Sequence, residues 1–277
     1  MVDAHGLVKF LSTVAELARG TAASTVWPVW ERELLMARDQ SWPGFAHHEY
    51  DKVHDTKGTI VPLDDMAHRS FFFGVLEVAV LWSHVTPSLW KHITMFKVLT
   101  GCLWKCHTVA LAPAIDEEMR MIFAVNARGD EIRAGIPDGY YGNTFASPVA
   151  IATAGDLCAN PMSYVVELVK KAKRVVSMEY MRSVADFMVQ RGRPPVMMGK
   201  PAYGGSAQGG DIPGLASFFI PFKNAKGEDG IVVPMCLPSP AMDRFVEELA
   251  KLMRTAADAA TPTWQQPGMS KMIKSAL

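Results

Sequence analysis

Histidines and carboxylates crowd one stretch of the chain: His47, His48, Glu49, Asp51, His54 and Asp55. Imidazole nitrogens and carboxylate oxygens are metal-ligand chemistry. No second run at ligand spacing accompanies them, however, and the stretch lacks a regular period. A crossover or surface loop is the favoured reading, with no metal. His47 and Asp51 also fit His-x-x-x-Asp, a spacing that could place a general base beside a carboxylate. A four-residue pattern of this kind arises readily by chance. His68-Arg69-Ser70 runs into Phe71-Phe72-Phe73-Gly74. It reads either as polar site residues beside an apolar wall or, more simply, as a strand entering a core. Gly204–Gly210 is glycine-rich, but no Walker A helix start follows. Neither Gly-x-Gly-x-x-Gly nor the Gly-x-Ser-x-Gly nucleophile elbow occurs. Cys102 and Cys106 stand at helix spacing, not Cys-x-x-Cys; with Cys158 and Cys236 they read as buried free thiols of a reducing compartment.

The elements that must position these groups follow from periodicity. Leu7, Phe10, Leu11, Val14 and Leu17 recur at helical spacing, so residues 3–19 read as an amphipathic helix stopped by Gly20. Residues 25–65 have no sustained period and read as a long connector crossing between domains. Helical signals resume over 75–85. Thr94 opens a helix with Phe96, Leu99, Leu103 and Cys106 on one face. Residues 119–125 alternate as a strand. Asp138-Gly139 and Gly142-Asn143 are turn chemistry around Tyr140-Tyr141. Pro161 starts one long helix to about Gln190, closed by Gly192. Residues 215–222 and 231–237 form a β-hairpin. Ser239-Pro240 caps a last helix to about Arg254, and the tail after Thr261 frays.

The chain has 277 residues, 49% apolar and 20% charged, with 28 basic and 28 acidic residues and a formal net charge of zero. That is enough apolar material for a sizeable core. Without a basic excess there is no electrostatic footprint for nucleic acid or an anionic membrane. No apolar run is long enough to span a bilayer, and Asp3, Glu16 and Arg19 spoil a secretory signal. The expectation is a cytoplasmic protein of irregularly alternating helices and strands, α/β (α+β), in two domains with mixed sheets.

Several ordered segments go further. Residues 55–74 (Asp-Thr-Lys-Gly-Thr-Ile-Val-Pro-Leu-Asp-Asp-Met-Ala-His-Arg-Ser-Phe-Phe-Phe-Gly), Phe96-Lys-Val-Leu-Thr-Gly-Cys-Leu-Trp-Lys105, Val125-Asn-Ala-Arg-Gly129 and Gly139-Tyr-Tyr-Gly-Asn143 resemble plant BAHD acyltransferases. So do Glu179-Tyr-Met-Arg-Ser-Val-Ala-Asp186 and Gly230-Ile-Val-Val-Pro-Met-Cys-Leu-Pro238, in the same order. The detail is similar to the benzyl alcohol O-benzoyltransferase branch, up to about Arg254. The resemblance implies a two-domain chloramphenicol-acetyltransferase-like fold. It also implies acyl transfer from a coenzyme A thioester, as co-substrate and not a resident cofactor, to an aromatic or small alcohol by a monomer. The family hallmark is His-x-x-x-Asp: the histidine removes the acceptor proton, a task its near-neutral proton affinity suits, and the aspartate holds the site in shape.

In this branch the motif reads His-Thr-Met-x-Asp-Ala, and this sequence opens Met1-Val2-Asp3-Ala4. Asp3 matches the motif aspartate, and the histidine falls two positions before Met1. His5, about 200° around a helix from Asp3, does not replace it. Nor does His47, because the branch carries a similar His-His-Glu-Tyr-Asp in its crossover loop. The branch's Asp-Phe-Gly-Trp-Gly is missing between Gly192 and Gly205, with Gly199 as a remnant. The expected domains are 1–40, the remnant of an incomplete N-terminal domain; 41–70, the crossover loop; 71–260, the C-terminal domain; and 261–277, a tail. Thr100, Trp104, Asn126, Arg128 and Asn143 are candidates for the ligand tunnel or its support. Trp104 reads more readily as core and Asn143 as a turn residue, while Arg128 reads equally as a phosphate contact or a surface ion pair. The expected outcome is weak or no catalysis by this chain. The alternative is a non-catalytic truncated paralogue or gene-model fragment that at most binds acyl-CoA.

Overall fold

The computed structural model describes residues 3–40, 42–52, 65–128, 135–194 and 217–257. In chain order the elements are α1 (Ala4–Ala18), β1 (Met66–Gly74), α2 (Val75–Ser83), α3 (Met95–Leu111), β2 (Glu118–Ile122), β3 (Val125–Asn126), β4 (Phe145–Ala146), β5 (Val149–Thr153), α4 (Ala154–Ala159), α5 (Met162–Val175), α6 (Met178–Gln190), β6 (Ile220–Lys223), β7 (Asp229–Pro238) and α7 (Ser239–Ala257). They divide into two compact units, each assembled from separated stretches. The first takes Met1–Asp51, Ile122–Val149 and Ala172–Met197; the second takes Lys52–Met121, Ala150–Lys171 and Met198–Leu277.

The second unit is built on the three-stranded sheet β1-β7-β6. Both of its ladders are antiparallel, and β1 pairs along its whole length from Met66↔Pro238 to Gly74↔Gly230. His68-Arg69-Ser70 therefore lies in a strand, and Phe73 enters the core behind it. Glu77 accepts the Gly74 amide hydrogen at 3.0 Å, which starts α2 directly off the strand. Phe73, Leu81, Leu99, Val233, Leu237 and Phe245 are sealed in one apolar cluster. The hairpin is confirmed from Ile220 onward; its first residues, 215 and 216, fall outside the described residues. The last helix begins at Ser239 as read and runs past Arg254 to Ala257.

Four readings of the sequence need correction. Cys102 and Cys106 are buried on α3, but Cys158 is exposed at the end of α4 and Cys236 is only partly covered on β7. The helix opened by Thr94 is buried on nearly every side and not on one face, because α2, α4 and α7 all pack against α3. The long helix to Gln190 is two helices, α5 and α6. The Ser177 hydroxyl accepts the Tyr180 amide hydrogen at 3.1 Å and caps a new start. Apolar periodicity continues across this break, which is why the pattern alone missed it. The strand 119–125 is also divided. β2 stops at Ile122, and Val125 turns away to pair with Ala146 in the β3–β4 hairpin.

In the first unit, α1 runs as expected and Gly20 takes a positive φ of 86° just beyond it. The connector is less irregular than its sequence. It contains single 3-10 turns at Arg32–Leu35 and His48–Tyr50, and it is tied to α6. Arg38 clasps Asp186 from both its amide nitrogen and its guanidinium, each at 2.8 Å, and reaches Glu179 at 2.6 Å.

Candidate active-site aspartate

Asp3 stands at the N-cap of α1. Its Oδ1 accepts the Gly6 amide hydrogen at 2.9 Å, satisfying one of the orphan donors of the first turn. Its Oδ2 faces Arg128 Nη1 at 2.5 Å and also accepts from the Thr144 amide at 3.0 Å and hydroxyl at 3.3 Å. The β3–β4 hairpin makes this possible. Pairing of Val125 with Ala146 and of Asn126 with Phe145 brings Arg128 and Thr144, far apart in sequence, to one end of the ladder. Arg128 spends Nη2 on the carbonyls of Tyr140 (3.1 Å) and Gly142 (2.6 Å). The turn carrying those carbonyls lies against residues 27–29: Val29 N–H donates to Gly139 O at 2.8 Å. A β-carbon on Gly139 would stand 1.9 Å from Trp27 O, so only glycine fits there.

Both members of the ion pair are nearly buried, with side chains 9% and 8% exposed. Burial alone would raise the Asp3 carboxyl, but Arg128 and the Gly6 and Thr144 amides outweigh it and hold the group below the ordinary carboxylate range. With Oδ2 engaged by three donors and Oδ1 by the helix start, the carboxylate is held in place by hydrogen bonds that favour its ionised form. It is a clamp joining the start of α1 to the hairpin. His5, on the first turn of α1, is shifted downward by burial and by the Arg128 and Lys9 charges, against the pull of Asp3.

The other candidates divide. Asn126 and Asn143 flank the clamp. Each side chain accepts a backbone hydrogen two residues on, from Arg128 at 2.9 Å and Phe145 at 3.4 Å. Both are thus turn-forming residues. Arg128 does not form a surface pair: its guanidinium is held inside the first unit by Asp3 and the Tyr140 and Gly142 carbonyls. Thr100 and Trp104 lie in the second unit, one turn apart on α3, and both are buried. Thr100 Oγ1 and Trp104 Nε1 make no hydrogen bond among the described residues. Sequence reasoning missed Thr144. Its signal was its position, next to the Gly139–Asn143 segment and opposite the strand that leads to Arg128.

The histidine-rich stretch resolves into two parts. His48 pairs with Asp51 at 2.7 Å on the surface. His47 is sealed: Nε2 lies 2.8 Å from Ser183 Oγ and Nδ1 lies 3.0 Å from Glu49 Oε1, while Tyr180 OH donates to the same carboxylate at 2.5 Å. The Phe45 amide donates to Ser183 Oγ at 3.3 Å and adds a second contact to that hydroxyl. Serine, imidazole and carboxylate follow one another as in a hydrolase triad. All three are buried, so the arrangement is a satisfied polar anchor between the connector and α6. His54, Asp55, Gly199 and Gly204–Gly210 lie outside the described residues. Among the described residues, no three His, Cys, Asp or Glu side chains gather as a metal site, and no helix is long and apolar enough to cross a membrane.

The architecture is that of a known class. F. graminearum TRI101, crystallised with coenzyme A and T-2 mycotoxin, superposes with a TM-score of 0.59 at 16% identity, covering 90% of this chain and 63% of that one. The likeness shows the expected α/β, chloramphenicol-acetyltransferase-like fold.

Residues 1–212 match the Transferase family, and the chain belongs to that family, in line with the BAHD resemblance. It is 50% identical to a benzyl alcohol O-benzoyltransferase of Petunia hybrida, over 92% of this chain and 60% of that protein. It is 44% identical to alcohol acyl transferase 2 of Malus domestica, over 91% and 60%. The chain thus spans about three-fifths of the length of these relatives.

Proposed function

We propose that the protein serves acyl transfer from a coenzyme A thioester to an aromatic or small alcohol, in the cytoplasm and as a single copy. The clamp at Asp3 carries this reading. The aspartate that resemblance assigns to the family motif is ionised, caps α1 and is held by Arg128 and Thr144, which is what a positioning residue for a neighbouring base requires. In the reaction, a histidine imidazole four positions ahead of that aspartate takes the alcohol proton. The oxygen then attacks the thioester carbonyl, a C–O bond forms, the C–S bond breaks, and the thiolate leaves and is protonated. The names of the relatives support benzoyl-CoA and benzyl alcohol as first substrates to try. Buried and unsatisfied, Thr100 Oγ1 and Trp104 Nε1 are suited to contact a ligand in the tunnel. In this reading residues 1–40 belong to the N-terminal acyltransferase domain and 71–260 to the C-terminal one.

A general base contributes about 10²–10⁴-fold to such a step. A polypeptide of residues 1–277 is therefore expected to release little coenzyme A from benzoyl-CoA and benzyl alcohol. A hybrid in which the N-terminal part of the Petunia hybrida relative, its motif histidine included, precedes Asp3 is expected to turn over. A folded but inactive hybrid would overturn the proposal. Robust turnover by residues 1–277 alone would overturn the role given to the histidine. Calorimetric titration of residues 1–277 with coenzyme A separates an acyl-CoA-binding chain from one that binds nothing.

A further inference from the structure

A nucleophile and a base meet in the second unit, away from the Asp3 clamp. His68 on β1 and Cys236 on β7 stand directly opposite each other in the antiparallel ladder, and Cys236 Sγ lies 3.6 Å from His68 Nε2. Side chains alternate across a strand. Val233, Met235 and Leu237 enter the apolar cluster, so Cys236 and its partner stand on the other side of the sheet. His68 is exposed there and Cys236 is half-buried. The same side carries Phe72, whose ring lies over Gly230, together with Ile220 and Phe222 of β6. These two residues oppose Val232 and Gly230 and are 43% and 52% exposed. The pair thus shares an accessible sheet face with apolar side chains.

A thiol within reach of an imidazole is the arrangement of an activated sulfur nucleophile. Burial pushes the Cys236 thiol up from its ordinary value, so the sulfur rests protonated and needs a base when it attacks. His68 is placed to take that proton. The other thiols lack one condition or the other. Cys102 and Cys106 are sealed in the core, and Cys158 is exposed but not paired with an imidazole among the described residues. We propose that Cys236 is a site of reversible S-acylation by acyl thioesters, with His68 as its base. The sulfur attacks the thioester carbonyl as the imidazole takes its proton. A C–S bond to Cys236 forms, the C–S bond to the leaving thiolate breaks, and the imidazolium returns the proton to that thiolate. One thioester replaces another, so the step needs no energy source and runs backward when free thiol is in excess. The apolar side chains along the face favour an acyl group over a polar modifier. The proposal rests on the acyl-transfer reading only in that the chain meets a coenzyme A thioester; neither Asp3 nor the motif histidine takes part.

The test treats residues 1–277 with benzoyl-CoA and maps the product by mass spectrometry. Cys236 is expected to gain one benzoyl group about tenfold or more faster than Cys158, although Cys158 is the more exposed thiol. Excess coenzyme A is expected to remove the group again. His68→Gln should slow the labelling about tenfold or more, and added imidazole should restore part of the rate to His68→Ala. Circular dichroism checks that the sheet persists in both variants, and rescue by imidazole separates a lost base from a damaged strand. Iodoacetamide, which needs no thioester, probes the sulfur by itself. Equal labelling of Cys158 and Cys236, or labelling indifferent to His68, overturns the proposal. So does rapid alkylation of Cys236 without benzoyl transfer, which would keep the activated thiol and remove its acyl chemistry. Benzoylated Cys236 alongside a hybrid chain that cannot acylate benzyl alcohol preserves the proposal and overturns the acyl-transfer reading. Unlabelled Cys236 alongside a working hybrid does the reverse.

Discussion

Asp3 performs two separable jobs, and conservative substitutions divide them. Asn at this position keeps the cap but leaves Arg128 beside a neutral amide in a nearly buried place. Replacing Asp3→Asn is expected to cost about 2–3 kcal/mol of unfolding free energy, the lower range for breaking a pair that retains some solvent. Asp3→Ala also removes the cap and should cost about 1 kcal/mol more; urea denaturation of both variants measures the gap. The carboxyl binds its proton less readily folded than unfolded. Its contribution is therefore fully present above the unfolded value of about 3.9 and fades as pH falls through the lowered folded value. The difference in urea midpoint between the parent chain and Asp3→Asn, measured at pH 7 and again near pH 3, should accordingly shrink at the lower pH. Asp3 was legible because a short motif surrounds it. Arg128 was legible only as one of several candidates, since its partner lies across the β3–β4 hairpin and no local spacing links them. His47 shows the converse case: residue types fit for chemistry at a suggestive spacing, discounted as a chance pattern, form a sealed anchor.

Among the elements, those with a single strong period were readable, and those set by a cap or by neighbours were not. α1 begins where Asp3 implies, because its start combines a cap with an onset of periodicity; α7 begins at Ser239, whose hydroxyl donates to Asp65 Oδ1 at 2.7 Å. The break between α5 and α6 has the cap without a loss of period. Ser177→Ala is expected to destabilise the first unit by about 1 kcal/mol, the usual value of a lost N-cap, and to speed hydrogen exchange at Tyr180 in particular. Thermal unfolding with exchange measurements checks both. The all-round burial of α3 was equally unreadable. Residues such as Thr100 and Lys97 look like a polar face, yet they are buried because helices lie on several sides.

For the molecule as a whole, zero net charge and an exposed apolar helix act together. Charge repulsion is weakest near neutral pH, where the uncovered α1 face can associate. Light scattering of residues 1–277 should show a solubility minimum around pH 7, relieved by Leu11→Asp with Val14→Asp and left in place by Ser12→Asp. Periodicity sufficed for most of the elements, and the ordered family segments for the fold class and the family, because those properties are written in local patterns along the chain. Which groups meet Asp3 and that His47 is shut away were decided only by tertiary structure. Each depends on bringing together segments more than a hundred residues apart, and no local pattern encodes that.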